Sequence, residues 1–98
     1  MTPKAPRTPI DFRKVEALRK HMLLTTTDMA GLLGVSRMSY YGWVRGSSLR
    51  QANDDRVRVM LKRLLTVMTE HHWPTPQVIA AGQKQRLELL KEVLEQVK

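Results

Sequence analysis

The chain has 98 residues, of which 42% are hydrophobic and 27% are charged. This balance excludes a wholly disordered or fibrous protein and predicts one small globular domain. The absence of cysteine excludes a disulfide framework, a thiolate zinc site and a cysteine nucleophile, and it favours a reducing compartment. No apolar stretch approaches the roughly 20 residues of a membrane span, and the opening MTPKAPRTP lacks the apolar run of a signal peptide. We therefore expect a cytoplasmic protein.

The basic excess is large and uneven. The chain carries 17 Lys and Arg against 9 Asp and Glu, a net charge of +8. Residues 1–50 hold nine basic and three acidic side chains, whereas residues 51–98 hold eight and six. Such an excess in a small protein commonly serves to bind a polyanion, so a nucleic acid is the first expected partner and the first half of the chain its expected site.

The first elements are a basic arm and a helix. Residues 1–7 carry two prolines and two cations and have only Met1 and Ala5 as apolar residues, which predicts a flexible arm. A minor-groove contact and a merely mobile terminus both stay open. Thr8 as N-cap, Pro9 at the first helical position and Asp11 at the third predict a helix to about Met22. Its apolar side carries Ile10, Val15, Leu18 and Met22. Its other side is mostly basic, with Arg13, Lys14, Arg19 and Lys20.

Two short helices follow. Thr25 is predicted to cap a helix that runs through Leu33 and ends at Gly34, which can adopt the left-handed conformation. Ser36 is predicted to cap a third helix from Arg37 to about Val44, ended by Gly46. Two helices joined by a three-residue turn that contains glycine are typical of a helix-turn-helix.

The third helix has two different faces at about 100° per residue. The side predicted to pack carries Ser36, Ser39, Tyr40 and Trp43. The side predicted to be presented carries Arg37, Met38, Tyr41, Gly42 and Arg45. Arginine can bind guanine through two atoms, methionine or tyrosine can contact a thymine methyl group, and glycine permits close approach. These residues therefore predict base reading, and a solvated surface helix is the other interpretation.

The second half is predicted to contain two helices. Arg50, in a polar loop, is a candidate phosphate contact. Asn53 or Asp54 is expected to open a fourth helix to about His71, with an apolar stripe at Val57, Met60, Leu61, Leu64 and Met68 that Leu65 and Val67 widen. Trp73-Pro74 breaks this helix, and Thr75 and Pro76 start a last amphipathic helix. Its apolar stripe consists of Leu87, Leu90, Leu94 and Val97. This stripe either closes the core against the fourth helix or forms a dimer interface, and we favour the dimer.

Residues 15–46, VEALRKHMLLTTTDMAGLLGVSRMSYYGWVRG, resemble the phage-repressor-like (Cro/repressor, XRE-type) helix-turn-helix superfamily. Ala30, the turn Gly34-Val35-Ser36 and Trp43 three residues before Gly46 carry the likeness. The resemblance implies an all-α, lambda-repressor-like bundle of four or five helices that binds operator DNA as a dimer. It implies base reading at Arg37, Met38 and Gly42 beside Tyr41, and phosphate contacts at Thr25, Thr26, Ser36 and Arg45. It implies packing roles for Ala30, Val35, Tyr40 and Trp43.

Three residues depart from the family pattern. Thr26 stands where glutamine is frequent, which shortens a contact that braces the recognition helix. Val44 replaces a frequent glutamate, so that its arginine partner, here Arg19, is solvated, paired elsewhere or free for phosphate. Gly42 leaves a base-reading position without a side chain.

The sequence contains no pattern typical of a catalytic site or a metal site. His71 and His72 are adjacent and point about 100° apart on a helix, so they cannot readily chelate one metal, and a helix cap is the preferred interpretation. The chain has no GxSxG elbow, phosphate-binding loop or triad pattern. We expect no enzyme activity, no metal and no cofactor.

These inferences predict a flexible basic arm (1–7), a DNA-binding domain (8–72) and a C-terminal amphipathic helix for dimerisation (73–98). The expected function is that of a sequence-specific transcriptional regulator, a repressor that acts as a homodimer on an inverted-repeat operator in the cytoplasm of a bacterial or phage-infected cell. The alternative is a protein-interaction module, an antitoxin or an inhibitor of a host enzyme, that keeps the helix-turn-helix fold and holds a second protein through its last helix.

Overall fold

The computed structural model describes residues 9–47, 49 and 51–97. The secondary structure of these residues consists of six helices and no strand. They are α1 (Phe12–His21), α2 (Thr26–Leu33), α3 (Arg37–Val44), α4 (Gln51–Glu70), α5 (Pro76–Ala80) and α6 (Gln83–Gln96). Helix α3 contacts α1 and α2, α2 also contacts α4, and α6 contacts α4 and α5. The all-helical prediction is confirmed. In the described part of the chain, no helix is long and apolar enough to cross a membrane.

Helix α1 begins later than the sequence predicts. Asp11 is its N-cap, with extended backbone and a carboxylate that accepts a hydrogen bond from the Arg13 N–H at 3.0 Å. The predicted cap, Thr8, lies outside the described residues, and Pro9 and Ile10 precede the helix. The helix begins later because the Asp11 carboxylate binds the free N–H of Arg13 in the first turn, as a capping hydroxyl group would.

The caps of α2 and α3 are the predicted ones. Thr25 accepts a hydrogen bond from the Asp28 N–H at 3.0 Å, and the Asp28 carboxylate accepts one from the Thr25 N–H at 3.2 Å, which completes a capping box. Gly34 ends α2 with a φ of 73°, a left-handed conformation that costs glycine little. Ser36 caps α3 by accepting from the Ser39 N–H. The turn therefore fixes the angle between α2 and α3 through local hydrogen bonds.

One hydrophobic core joins both halves of the chain. It includes residues of every helix, and their burial is the main stabilising contribution to the fold. The Trp73 indole N–H donates to the Met22 carbonyl oxygen at 2.9 Å, which ties the segment after α4 to the end of α1. The buried hydrophobic residues are Phe12, Val15, Met22, Leu24, Met29, Ala30, Leu33, Tyr40, Trp43, Val57, Leu64, Val67, Trp73, Val78, Leu90, Leu94 and Val97.

The start of α4 and the C-terminal region differ from the prediction. Helix α4 begins at Gln51 rather than at Asn53 or Asp54. The last helix is two helices, because Ala81 and Gly82 are extended between α5 and α6. The Arg86 guanidinium stabilises this break by donating to the Val78 carbonyl oxygen at 2.8 Å and to that of Ile79 at 2.7 Å. The Val78 carbonyl oxygen also accepts from the Ala81 N–H at 3.1 Å, so Arg86 adds a second donor there and one for Ile79, at a helix end where carbonyl groups lack partners in a following turn.

The C-terminal apolar stripe packs inside the chain. Leu90, Leu94 and Val97 are buried in the core, Leu87 is half-buried, and α6 contacts α4. Arg63 of α4 donates to the Leu94 carbonyl oxygen at 2.7 Å. The three buried side chains are therefore not available as a dimer surface in the folded chain, which corrects the predicted interface. The other interpretation of the stripe, closure of the core against α4, holds.

Candidate nucleic-acid interface

Helix α3 is anchored by its aromatic side chains. Tyr40 is fully buried, and the buried Trp43 ring lies 5.5 Å from that of Phe12 in α1, centroid to centroid. Ser36 and Ser39, predicted to pack beside them, are exposed instead. The correction follows from size and polarity, since two aromatic rings fill the contact with α1 and α2 and leave the hydroxyl groups in water.

The opposite face of α3 is exposed and mixed in character. Arg37 and Arg45 are exposed, the Met38 side chain is 83% exposed, and that of Tyr41 is 39% exposed. Gly42 is half-buried, and a Cβ built on it would lie 3.5 Å from the Ser47 hydroxyl oxygen, so it borders the loop after α3. A short helix that presents two guanidinium groups around an exposed methionine and a phenol can supply both charge-assisted and apolar contacts to a base edge.

Tyr41 is also held by α2. Its hydroxyl oxygen lies 2.9 Å from the Thr26 hydroxyl oxygen, a hydrogen bond between residues 15 positions apart. Thr26 is the first residue of α2, and Tyr41 lies in the second turn of α3. Thr26 therefore braces the exposed helix through its hydroxyl group. The hydrogen bond restricts the rotamers of the tyrosine ring before any ligand is bound.

The predicted phosphate contacts lie at helix ends. Thr25 and Ser36 are the N-caps of α2 and α3, where free N–H groups and the positive end of the helix dipole favour an anion. The Ser36 hydroxyl donates to the Ser39 hydroxyl at 3.0 Å. Arg45 caps the other end of α3, and its Nε lies 3.4 Å from the Tyr41 carbonyl oxygen. Arg50 lies outside the described residues.

A hydrogen-bonded network behind α3 was not found from the sequence. Glu16 of α1 accepts from Arg19 at 3.0 Å (Nε to Oε1) and 2.8 Å (Nη2 to Oε2), and its Oε1 also accepts from the buried Tyr40 hydroxyl. Arg19 donates in addition to the Leu24 carbonyl oxygen at 2.9 Å. The network joins three parts of the chain: helix α1, helix α3 and the turn that precedes α2. Arg19 is thus paired elsewhere rather than directed outward or free for phosphate.

The network shifts the ionisation of its members. Hydrogen bonds from Arg19 hold the pKa of the Glu16 carboxyl below its usual value, and the same contact raises the pKa of the Arg19 guanidinium. Burial, with the hydrogen bond to Glu16, raises the pKa of the Tyr40 phenol well above its ordinary value. The three groups therefore remain carboxylate, guanidinium and neutral phenol at neutral pH. The i, i+3 spacing of Glu16 and Arg19 is the one sequence signal for this pairing.

The histidines and the surrounding acids form no evident metal centre. Among the described residues, no group of three or more His, Cys, Asp or Glu side chains lies together. His71 is half-buried, and its backbone N–H donates to the Val67 carbonyl oxygen at 3.1 Å. His72 is exposed and has a φ of 53°.

Comparisons with protein-family profiles, with characterised proteins and with solved structures find no match to this chain.

Proposed function

We propose that this chain is a sequence-specific DNA-binding regulator of transcription, a repressor of the lambda-repressor-like helix-turn-helix class, in which α3 is the recognition helix. One observation carries the proposal: the anchored α3 buries Tyr40 and Trp43 while its other face exposes Arg37, Met38 and Tyr41. A methionine this exposed contributes nothing to the core, and arginine beside it suits a guanine edge next to a thymine methyl group.

The spacing on α3 suits base pairs that lie two steps apart. Arg37 and Tyr41 are one turn apart, about 6 Å along the helix axis, which corresponds to roughly two steps of about 3.4 Å in B-DNA. Thr25 and Ser36, at the N-termini of α2 and α3, are placed to orient the helix through backbone phosphates. In this arrangement, Arg37, Met38 and Tyr41 determine which sequence is bound, and Arg45 contributes to affinity without choosing bases.

A homodimer on an inverted repeat remains part of the proposal, because one short helix reads only a few base pairs and two copies read half-sites about 34 Å apart. Leu90 and Leu94 cannot form the dimer contact while they are buried in the core. The alternative in which the last helix grips another protein loses support for the same reason.

The test begins with selection of bound sequences from a random duplex library, followed by anisotropy titrations of the selected site over a range of salt concentrations. Arg37→Ala is expected to cost about 1–3 kcal/mol and to relax one base position, whereas Arg45→Ala weakens all sequences alike and reduces the salt slope by about 1. Lys91→Ala is the matched control, because Lys91 is exposed on α6 rather than on α3, and it should leave both affinity and discrimination nearly unchanged. Failure to enrich any sequence, or full discrimination retained by Arg37→Ala, would contradict the proposal.

A further inference from the structure

An open apolar groove lies between α1 and α4, away from the residues proposed to read DNA. Its volume is about 460 Å³, within the range of ligand-binding clefts. Ile10 and a row along α1 form one wall: Asp11, Lys14, Val15 and Leu18. A row along α4 forms the other wall: Arg58, Leu61, Lys62 and Leu65.

Both rows have the spacing of one helical face. Each consists of positions i, i+3, i+4 and i+7, and each covers about two turns, roughly 10 Å of helix. Two such rows that line one groove offer spaces between side chains into which a third helix can insert residues of the same spacing. Leu65 is 47% exposed at the edge of the groove, so a bound helix would bury apolar surface that now faces water.

The edges of the groove are basic. Lys14 and Lys62 are exposed on opposite walls, and within the described residues neither has an ion-pair partner. Arg58 adds a third cation, although it pairs with Asp54 at 2.8 Å. The one lining carboxylate, that of Asp11, is engaged as the N-cap of α1. The groove thus combines an apolar floor with a positive rim, which complements a helix that carries leucine-like residues flanked by carboxylates.

Three occupants from the chain itself fit poorly. A two-fold pairing of grooves would bring Lys14 and Lys62 of two copies together, a repulsive arrangement. Helix α6 of a second copy has exposed Glu88, Glu92 and Glu95, but its apolar Leu90 and Leu94 are buried in its own core. The first eight residues carry cations and no acid, so they would meet a rim of their own sign.

We infer that the α1–α4 groove binds an acidic amphipathic helix of a different protein. The inference does not depend on DNA binding. A second protein was also the alternative partner predicted from the sequence, there through the C-terminal helix. Here the contact lies in the groove between α1 and α4, where apolar surface is exposed. Affinity comes from the buried leucine-like side chains, and the choice of an acidic partner comes from Lys14 and Lys62.

The test uses the full chain and two synthetic helical peptides of about 14 residues. One has leucines at i, i+3, i+4 and i+7 flanked by glutamates, and the other has lysines in place of the glutamates. We expect the acidic peptide to bind with a Kd below about 100 μM and to shift amide resonances of α1 and α4 in NMR spectra. The basic peptide is expected to bind at least about tenfold more weakly.

Matched variants locate the contact. Leu65→Ser is expected to reduce binding of the acidic peptide about tenfold or more, whereas Val59→Ser, on the same helix, 59% exposed and outside the groove, leaves it unchanged. Lys14→Glu with Lys62→Glu should exchange the preference toward the basic peptide, and circular dichroism would verify that each variant is folded.

Four outcomes would overturn the inference. They are no binding at about 1 mM peptide, equal binding of both peptides, resonance shifts confined to other helices, and self-association of the chain that Leu65→Ser abolishes. The last would identify a second copy of this chain as the occupant. None of these results bears on the selection of DNA sequences, so the two proposals can fail separately.

Discussion

Replacing Glu16 by glutamine should destabilise the fold far more than the same change at an exposed glutamate such as Glu88. The carboxylate accepts two hydrogen bonds from Arg19 and one from Tyr40. Only 20% of the Glu16 side chain and 15% of the Arg19 side chain are exposed, and Tyr40 is fully buried. Glutamine removes the charge. Its amide oxygen at the Oε1 position can still accept from Arg19 Nε and Tyr40, but its amino group then faces Arg19 Nη2, so two donors meet where a charge-assisted hydrogen bond stood.

The expected cost can be estimated from these contacts. Removing one partner of a buried ion pair costs about 3–5 kcal/mol, and the partial exposure of this pair reduces the expectation to about 2–3 kcal/mol. In a domain of this length, that loss lowers Tm by roughly 10–20 °C. Tyr40→Phe removes one hydrogen bond without disturbing the ion pair, and we expect it to cost about 1 kcal/mol.

The assay is urea and thermal unfolding followed by circular dichroism at pH 7. Glu88→Gln is the matched control, because Glu88 is exposed on α6, and its change should stay within about 0.5 kcal/mol. If Glu16→Gln destabilised the chain no more than Glu88→Gln, the hydrogen-bonded network would not contribute to the attachment of α3. That result would refute the reasoning about how the exposed helix is held.

Three further predictions concern pH, the turn and the exposed helix. The folded pKa of Glu16 lies below its ordinary value of 4.5. The ionised carboxylate therefore stabilises the fold fully above pH 4.5, and this contribution is lost as the pH falls through the folded pKa. In urea unfolding at a series of acidic pH values, the free energy of unfolding should decline less for Glu16→Gln than for the wild type. Gly34→Ala, at a φ of 73°, should destabilise the chain by about 1 kcal/mol in urea unfolding, whereas Gly31→Ala in α2, with nothing within 4 Å of a built Cβ, should stabilise it by about 0.5–1 kcal/mol; equal signs would contradict the assignment of the turn. Thr26→Val and Tyr41→Phe each remove the same hydrogen bond, so in anisotropy titrations each should weaken binding to the selected DNA by about 3- to 10-fold and the double variant no further. Independent, multiplicative losses would show that the two residues act separately.

The sequence by itself determined the local signals of the fold. The cap at Thr25, the left-handed Gly34 and the cap at Ser36 are all as predicted. Each depends on hydrogen bonds or backbone conformations within four residues, so the neighbouring side chains contain the whole of the information. The division of α3 into a buried aromatic side and an exposed side with Arg37 followed in the same way from helical periodicity.

Only the tertiary structure decided what covers each face. Helical spacing indicated that Leu90 and Leu94 are covered but not by what, and they pack inside the chain rather than against a second copy. At the break between α5 and α6, the Arg86 guanidinium donates to the Val78 and Ile79 carbonyl oxygens, eight and seven positions away. The bond from Tyr40 to Glu16 joins residues 24 positions apart. Contacts of this kind depend on how helices come together in space, which the periodicity of a single segment does not specify.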